Sequence, residues 1–360
     1  MIDSSDEVRF EGQVQEVAEG VFRIGVPLPN NPLRELNSYL IEGDRPLLVD
    51  VGFDLDACED ALRRGLATLG HSFDDVDLLF THSHPDHCGA VSRVHRPGMT
   101  VYAGFPDFFG VAREYHVHNR GFRAWLNGGY ELLPAGETRP PVTDLEVRQI
   151  LEGSIDYSEM DEVRVPLVDT PLTLLRDGDE LRVGSRTFTV VSTTGHCPDH
   201  ICLYDAHDRI LIAGDQVLYK ITPVIACFAL GETVLSDYHR SIDKLAALDV
   251  SLVLPGHRSA YRDLPGRVDQ LHRHHDERAA EVLEALHTGA SSVVDVARSI
   301  SWHTPYATWE EWPLKQKYFA IGETIAHLSY LEEKGFVEHV VTGGSLGTLG
   351  FRLKDGRTGF

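Results

Sequence analysis

The chain has 360 residues, 42% of them hydrophobic, enough to bury a substantial core as one large domain or one domain with an appendage. Its 55 acidic residues against 33 basic ones leave a formal charge of −22, which argues against nucleic acid or an acidic membrane face as a partner. No apolar run approaches the ~20 residues that cross a bilayer. The opening Met1-Ile2-Asp3-Ser4-Ser5-Asp6-Glu7 has neither the basic start nor the apolar core of a signal peptide. The five cysteines (Cys58, Cys88, Cys197, Cys202, Cys227) are odd in number and form no Cys-x-x-Cys pair. A reduced, cytoplasmic protein with buried thiols is expected.

Val21-Phe22-Arg23-Ile24, Ser38-Tyr39-Leu40-Ile41 and Leu47-Leu48-Val49-Asp50-Val51 read as successive strands, the last two joined by a turn at Gly43-Asp44. Asp54 is a suitable N-cap for a helix in which Ala57, Cys58, Ala61, Leu62 and Leu66 recur at helical spacing and which Gly70 closes. The apolar run Val76-Asp77-Leu78-Leu79-Phe80 is short, branched and bounded by polar residues, as a buried strand is. It leads into Thr81-His82-Ser83-His84-Pro85-Asp86-His87, which sets three imidazoles and a carboxylate within six residues. On an extended backbone His82 and His84 share a side, and Pro85 stops the strand so that Asp86 and His87 can turn to a second point nearby. Burying such groups unpartnered costs roughly 1–3 kcal/mol each, a cost that a divalent cation removes.

After a helix through Ala90 to His95 and a strand at Thr100-Val101-Tyr102, residues 104–171 break the rhythm. This stretch is rich in aromatics and long polar side chains and reads as a mainly helical insertion, a lid with Tyr115, His118 and Arg120 as substrate contacts. Strands resume at Leu172-Thr173-Leu174-Leu175, and a hairpin turning at Gly184-Ser185 runs into His196. A further strand ends at Gly214-Asp215, with Tyr219 and Lys220 close behind as substrate contacts. A helix over about Thr233 to Leu248 then leads through Leu252-Val253-Leu254 to Pro255-Gly256-His257. Strand after strand thus ends in a candidate ligand. From about Leu264 three helices and two strands around a Gly-rich tip suggest a winged-helix-like appendage, in which His272, His274 and His275 are expected to face solvent. With 10 Lys/Arg against 13 Asp/Glu from Pro265 onward, it lacks the basic footprint of a DNA binder. A structural role or a homodimer contact fits it better.

The set His82-x-His84-x-Asp86-His87, His196, Asp215 and His257, with the Asp50 turn and Gly256-His257, resembles the metallo-β-lactamase-fold hydrolases over about residues 15–262. The likeness is greatest to their glyoxalase II and metal-dependent lactonase branches. It implies an α/β fold, a four-layer αβ/βα sandwich with the metals at one edge, over residues 1–263, with residues 264–360 as the appendage. Carried over by position, His82, His84 and His196 hold one divalent metal and Asp86, His87 and His257 a second, with Asp215 bridging. Asp50 orients a ligand histidine from behind, and Asp86 and Asp215 serve the chemistry. Nitrogen and oxygen donors suit two Zn2+, with iron or manganese as alternatives, and Cys197 is expected to point away. The expected activity is hydrolysis of a small-molecule thioester, lactone or other ester by a bridging hydroxide. An iron-dependent oxidoreductase resembling the persulfide dioxygenases and a phosphodiesterase or endoribonuclease are the alternatives.

Overall fold

The computed structural model describes residues 4–104, 172–227, 231–342 and 348–354. The described residues group into two compact units, the first from 4–104, 172–223 and 240–270 and the second from 224–227, 231–239, 271–342 and 348–354. The expected insertion at 105–171, with Tyr115, His118 and Arg120, lies outside the described residues, as does the Gly-rich tip at 343–347.

In the first unit the apolar runs pair into two seven-stranded sheets. One has the spatial order β2 (Val14–Ala18), β3 (Val21–Pro27), β4 (Glu35–Ile41), β5 (Leu47–Val49), β6 (Asp77–Leu79), β7 (Val101–Gly104) and β8 (Leu172–Leu175). The other runs β1 (Glu7–Val8), β14 (Ala260–Tyr261), β13 (Leu252–Pro255), β12 (Ile210–Gly214), β11 (Ile201–Asp205), β10 (Arg186–Ser192) and β9 (Glu180–Val183). Period-two alternation sends Val21, Tyr39, Ile41 and Leu79 of the first sheet toward Phe188, Val190, Leu203, Ile212 and Leu254 of the second, and these make one core. The helix α1 (Asp56–Thr68) buries Ala61, Leu62 and Leu66. It starts after Leu55 with no side-chain cap, whereas Asp54 was the expected cap. Asp54 is instead ion-paired to Arg93, whose guanidinium also reaches Asp56. The short helices α2 (Pro85–Cys88) and α3 (Val91–Val94) lie between β6 and β7 in the chain, and α4 (Val234–Ala246) lies between β12 and β13.

Connectivity decides where the polar strand ends gather. Strands β5, β6, β7 and β8 are mutually parallel, as are β12 and β13, so their carboxyl ends collect at common edges, where α/β sheets place their sites. Two buried side chains of β4 fix the end of β13. The Tyr39 hydroxyl donates to the Pro255 carbonyl at 2.7 Å, and Asn37 Nδ2 donates to Pro255 at 2.9 Å and to the Arg258 carbonyl at 2.8 Å. Asn37 Oδ1 in turn accepts from Arg23 Nε at 3.0 Å. His257 therefore leaves a strand end held from across the core.

The second unit packs the later part of α5 (Leu264–His287) with α6 (Val293–Ser299) and α7 (Leu314–Glu333) around Ala279, Val282, Val293, Val296, Ile321, Ile325 and Leu328. The two-stranded sheet of β15 (Val337–Thr342) and β16 (Thr348–Leu353) adds Val337 and Phe351 to this core. Ser292 and Asp295 cap α6 reciprocally. His275, expected in solvent, is buried. Its helical neighbours Leu271, Ala279 and Val282 are buried too, so it belongs to the apolar stripe of a helix whose local sequence looks polar. His327 Nδ1 donates to the Glu323 carbonyl at 2.8 Å, which leaves His327 Nε2 to accept from His275 Nδ1 at 3.2 Å.

Burial holds both imidazoles neutral, His275 well below 6.5 and His327 at about 3, with the neighbouring histidines and Arg278 acting in the same direction. Burial also lifts Glu323 to about 7, against the pull of Arg278. Between the unfolded histidine value of 6.5 and the unfolded glutamate value of 4.5, unfolding lets both histidines take up protons while Glu323 gives one up. The unfolded state binds the net proton, so stability falls as pH drops through this window. Trp302, Trp309 and Trp312 report this unit. Their fluorescence-detected urea midpoint should fall between pH 6.5 and 5, and His327→Asn should flatten the slope; a midpoint independent of pH would refute the assignment.

Candidate metal centre

Each functional side chain sits just past a strand end. The chain leaves β6 through Phe80 and Thr81 to His82, and Pro85 opens the single-turn helix α2, which turns Asp86 and His87 inward. His196 follows β10, Asp215 follows Gly214 at the end of β12, and His257 follows Gly256 beyond β13. Two glycines permit this convergence. Gly214 has φ of +47°, and a Cβ there would lie 2.7 Å from His200 Nε2. A Cβ at Gly256 would lie 2.6 Å from Asp215 Oδ1 and 2.8 Å from the His87 ring.

Three groups of donors result: His82, His84 and His196; His82, His87 and Asp215; and Asp86, His87 and His257, each with its ligand atoms within 4.8 Å of one another. His82 Nε2 and His84 Nδ1 are 3.0 Å apart. Asp215 stands between the two triads of histidine-rich donors. Its Oδ1 is 3.5 Å from His87 Nε2, and its Oδ2 is 3.5 Å from His257 Nε2 and 3.9 Å from His196 Nε2. Asp86 Oδ2 is 3.4 Å from His257 Nε2. Zinc–nitrogen bonds of about 2.0–2.1 Å at tetrahedral angles place donors about 3.3–3.4 Å apart, within the range seen. No cysteine joins these groups among the described residues. Cys197 Sγ donates to Asp199 at 2.8 Å, and burial, reinforced by Asp199, pushes its thiol well above the ordinary range.

One carboxylate sets the tautomers of two histidines. Asp50, at φ +59° and 1% exposed, accepts from Thr81 N at 2.8 Å through Oδ1. Its Oδ2 accepts from Thr81 Oγ1 at 2.8 Å and from His87 Nδ1 at 2.7 Å. Because the Thr81 hydroxyl gives its proton to Asp50, its oxygen is left to accept from His82 Nδ1 at 3.1 Å. Both imidazoles therefore turn Nε2 toward the site, the arrangement metal-ligating histidines adopt. His257 does the same by donating Nδ1 to the Glu35 carbonyl at 2.8 Å. His200, which the sequence reading did not single out, accepts the Asp215 backbone N–H on Nε2 at 3.1 Å and so donates from Nδ1 to Thr193 Oγ1 at 2.7 Å. It anchors the Asp215 turn from behind. A polar residue just before the apolar strand β11 was the available signal for it.

The electrostatics fit a cationic guest. Burial, with His87 next and His196 next respectively, holds His82 well below the usual imidazole range and His84 at about 3, so their lone pairs are free of protons. Burial pushes Asp86 and Asp215 upward, yet the imidazoles around them outweigh it and keep both below the usual carboxylate range. Burial opposes a charge on His87, but Asp215 and Asp50 prevail and raise it well above its ordinary value. His87 Nε2, His257 Nε2 and Asp215 Oδ1 are buried and make no hydrogen bond among the described residues, at roughly 1–3 kcal/mol each. Ligand atoms facing a shared point with their outer nitrogens already engaged are what a divalent ion needs. His84, Asp86 and His196 are partly exposed, so the site opens on their side.

Tyr219 and Lys220 are engaged elsewhere. Tyr219 is 2% exposed, stacks on Tyr261 at 5.7 Å and holds its hydroxyl 3.4 Å from Glu7 Oε2; Lys220 Nζ lies 3.3 Å from the same oxygen. Both are tied to β1, and Tyr219 has almost no surface to offer a substrate.

Two outcomes follow from this geometry. Asp50→Ala should weaken metal binding about 10–100-fold in a chelator competition, and unchanged affinity would show that Thr81 and His87 orient themselves. His87, raised in the metal-free protein, must lose a proton before Nε2 can bind a metal. Affinity should therefore climb as pH rises through neutrality, and loading at pH 7 should release about one proton per chain from this group; calorimetry in buffers of different ionisation enthalpy counts it, and zero release would contradict the assignment.

Residues 32–257 match the family model for the metallo-beta-lactamase superfamily. The chain is similar to the "Probable metallo-hydrolase YqjP" of Bacillus subtilis, at 23% identity over 87% of this chain and 92% of that protein. It is also similar to the acyl-coenzyme A thioesterase MBLAC2 of Gallus gallus, at 32% identity over 61% of this chain and 72% of that one. A solved metallo-beta-lactamase family protein from Thermus thermophilus superposes with a TM-score of 0.72 at 27% identity, covering 94% of this chain and 100% of its own. The chain belongs to the metallo-β-lactamase superfamily.

Proposed function

We propose that the protein is a metal-dependent hydrolase of a small-molecule ester-type bond, with acyl thioesters placed before lactones and other esters. The observation that carries this reading is the meeting of three donor groups around the buried carboxylate of Asp215. Membership of a superfamily with relatives named as metallo-hydrolase and acyl-coenzyme A thioesterase favours hydrolysis, and the second name favours the thioester. Imidazole and carboxylate donors without thiolate suit zinc first, then iron or manganese. Bound there, two such ions would supply a water-derived nucleophile at neutral pH, lowering a water pKa from 15.7 to about 7, and would polarise the acyl carbonyl.

The protein's own groups divide the remaining work. His82, His84 and His196 would hold one ion and Asp86, His87 and His257 the other, with Asp215 within reach of both groups. Asp86 is ionised, partly exposed and 3.4 Å from His257 Nε2, so it can align an attacking water and take its proton. The substrate carbonyl approaches over the open side at His84 and His196. No serine nucleophile is required: the one Gly-x-Ser-x-Gly of the sequence, Gly343-Gly344-Ser345-Leu346-Gly347, falls in the chain between the strands β15 and β16 and not between a strand and a helix, where a nucleophile elbow stands. Residues 264–360 are read as a winged-helix-like appendage serving structure or assembly.

Purified protein should carry about two transition-metal ions per chain and hydrolyse an acyl-coenzyme A. Chelation should abolish turnover, zinc should restore it, and His84→Ala should cut kcat/KM at least ~100-fold. Undiminished hydrolysis by His84→Ala would refute the reading. Oxygen consumption by an iron-loaded protein without ester hydrolysis would replace it with the oxidoreductase alternative.

A further inference from the structure

Asp199 is a carboxylate with no part in the three donor groups, yet it is only 1% exposed and lies between two of the segments that build them. It stands in the turn Cys197-Pro198-Asp199-His200 between β10 and β11. Its Oδ1 accepts from Ser83 Oγ at 2.9 Å and from Cys197 Sγ at 2.8 Å. Ser83 is the residue between His82 and His84, and Cys197 is the residue after His196. Ser83 Oγ and Cys197 Sγ also lie 3.4 Å from each other. A single buried oxygen thus ties the loop carrying two imidazoles to the loop carrying the third. The two loops are remote in sequence and have different strand parents, so their spacing needs such a tie. Residues behind metal ligands fix ligand orientation through such hydrogen bonds.

We propose that Asp199 is a positioning residue that sets the distance between the His82–His84 pair and His196 through hydrogen bonds to Ser83 and Cys197. The proposal rests on the reading that these three histidines hold a metal ion. It is specific to that ion, because the Asp86, His87 and His257 group is oriented from other directions, by Asp50 and by the Glu35 carbonyl.

Titration of the metal-stripped full chain with Co2+, followed by visible absorbance, tests this without reference to turnover. The spectrum of His84→Ala supplies the signature of the Asp86–His87–His257 site alone. Asp199→Ala should bind at that site as the wild type does while the first site weakens about 10–100-fold. Asp199→Asn, which keeps an acceptor oxygen in place, should recover most of the loss. Equal affinity of wild type and Asp199→Ala would overturn the proposal, and so would an asparagine that recovers nothing. If Asp199→Ala fails to fold by circular dichroism, Cys197→Ala and Cys197→Ser decide: the first should weaken the site and the second, with a hydroxyl donor, restore it, and two wild-type titrations would overturn the tie. A wild-type chain that binds no Co2+ would instead remove the metal centre itself, so the two failures are distinct.

Discussion

A carboxylate sunk among imidazoles is the constraint on which the rest depends. Asp215 is 6% exposed, and its two oxygens stand 3.5 Å from His87 and His257 and 3.9 Å from His196. An ionised group taken from water into such a place costs several kcal/mol unless charge and hydrogen bonds meet it. Protons on the imidazoles can meet part of it, and divalent ions can meet more. The fold delivers the partners by one device. Parallel strands in each of two facing sheets bring Asp50 and His82 from one and Asp215 and His257 from the other to their carboxyl ends, and glycines at 214 and 256 let those ends touch.

Buried histidines behave oppositely within this chain, and the neighbours decide which way. His84 and His327 are both driven to about 3 by burial, with imidazole or guanidinium neighbours adding to it. His87 is fully buried yet moves upward, since two carboxylates flank its ring. Burial makes imidazoles neutral; at His87 the two carboxylates outweigh it and prepare the ring to exchange a proton for a metal.

Much of this is legible in the chain itself. His82, His84, Asp86 and His87 crowd one short stretch, while His196, Asp215 and His257 each terminate an apolar run, and a terminated strand is recognisable from local pattern alone. The residues behind them are not. Asp199, His200 and Thr81 act through partners that the sequence places far away or beside an unremarkable neighbour, and nothing in their own spacing marks them. Asp54 looks like a helix cap because capping is a local rule, and a guanidinium 39 positions onward outcompetes it. His275 looks solvated because Arg273, His274 and Asp276 surround it in sequence, although its helical stripe runs through Leu271 and Ala279.

Anomalous diffraction from crystals of the zinc-loaded chain tests the centre most directly. Two zinc peaks about 3.5–4 Å apart, one among His82, His84 and His196, the other among Asp86, His87 and His257, with Asp215 between them, are the expected result. Zinc density absent from Asp215, or bound only at surface carboxylates, would contradict it.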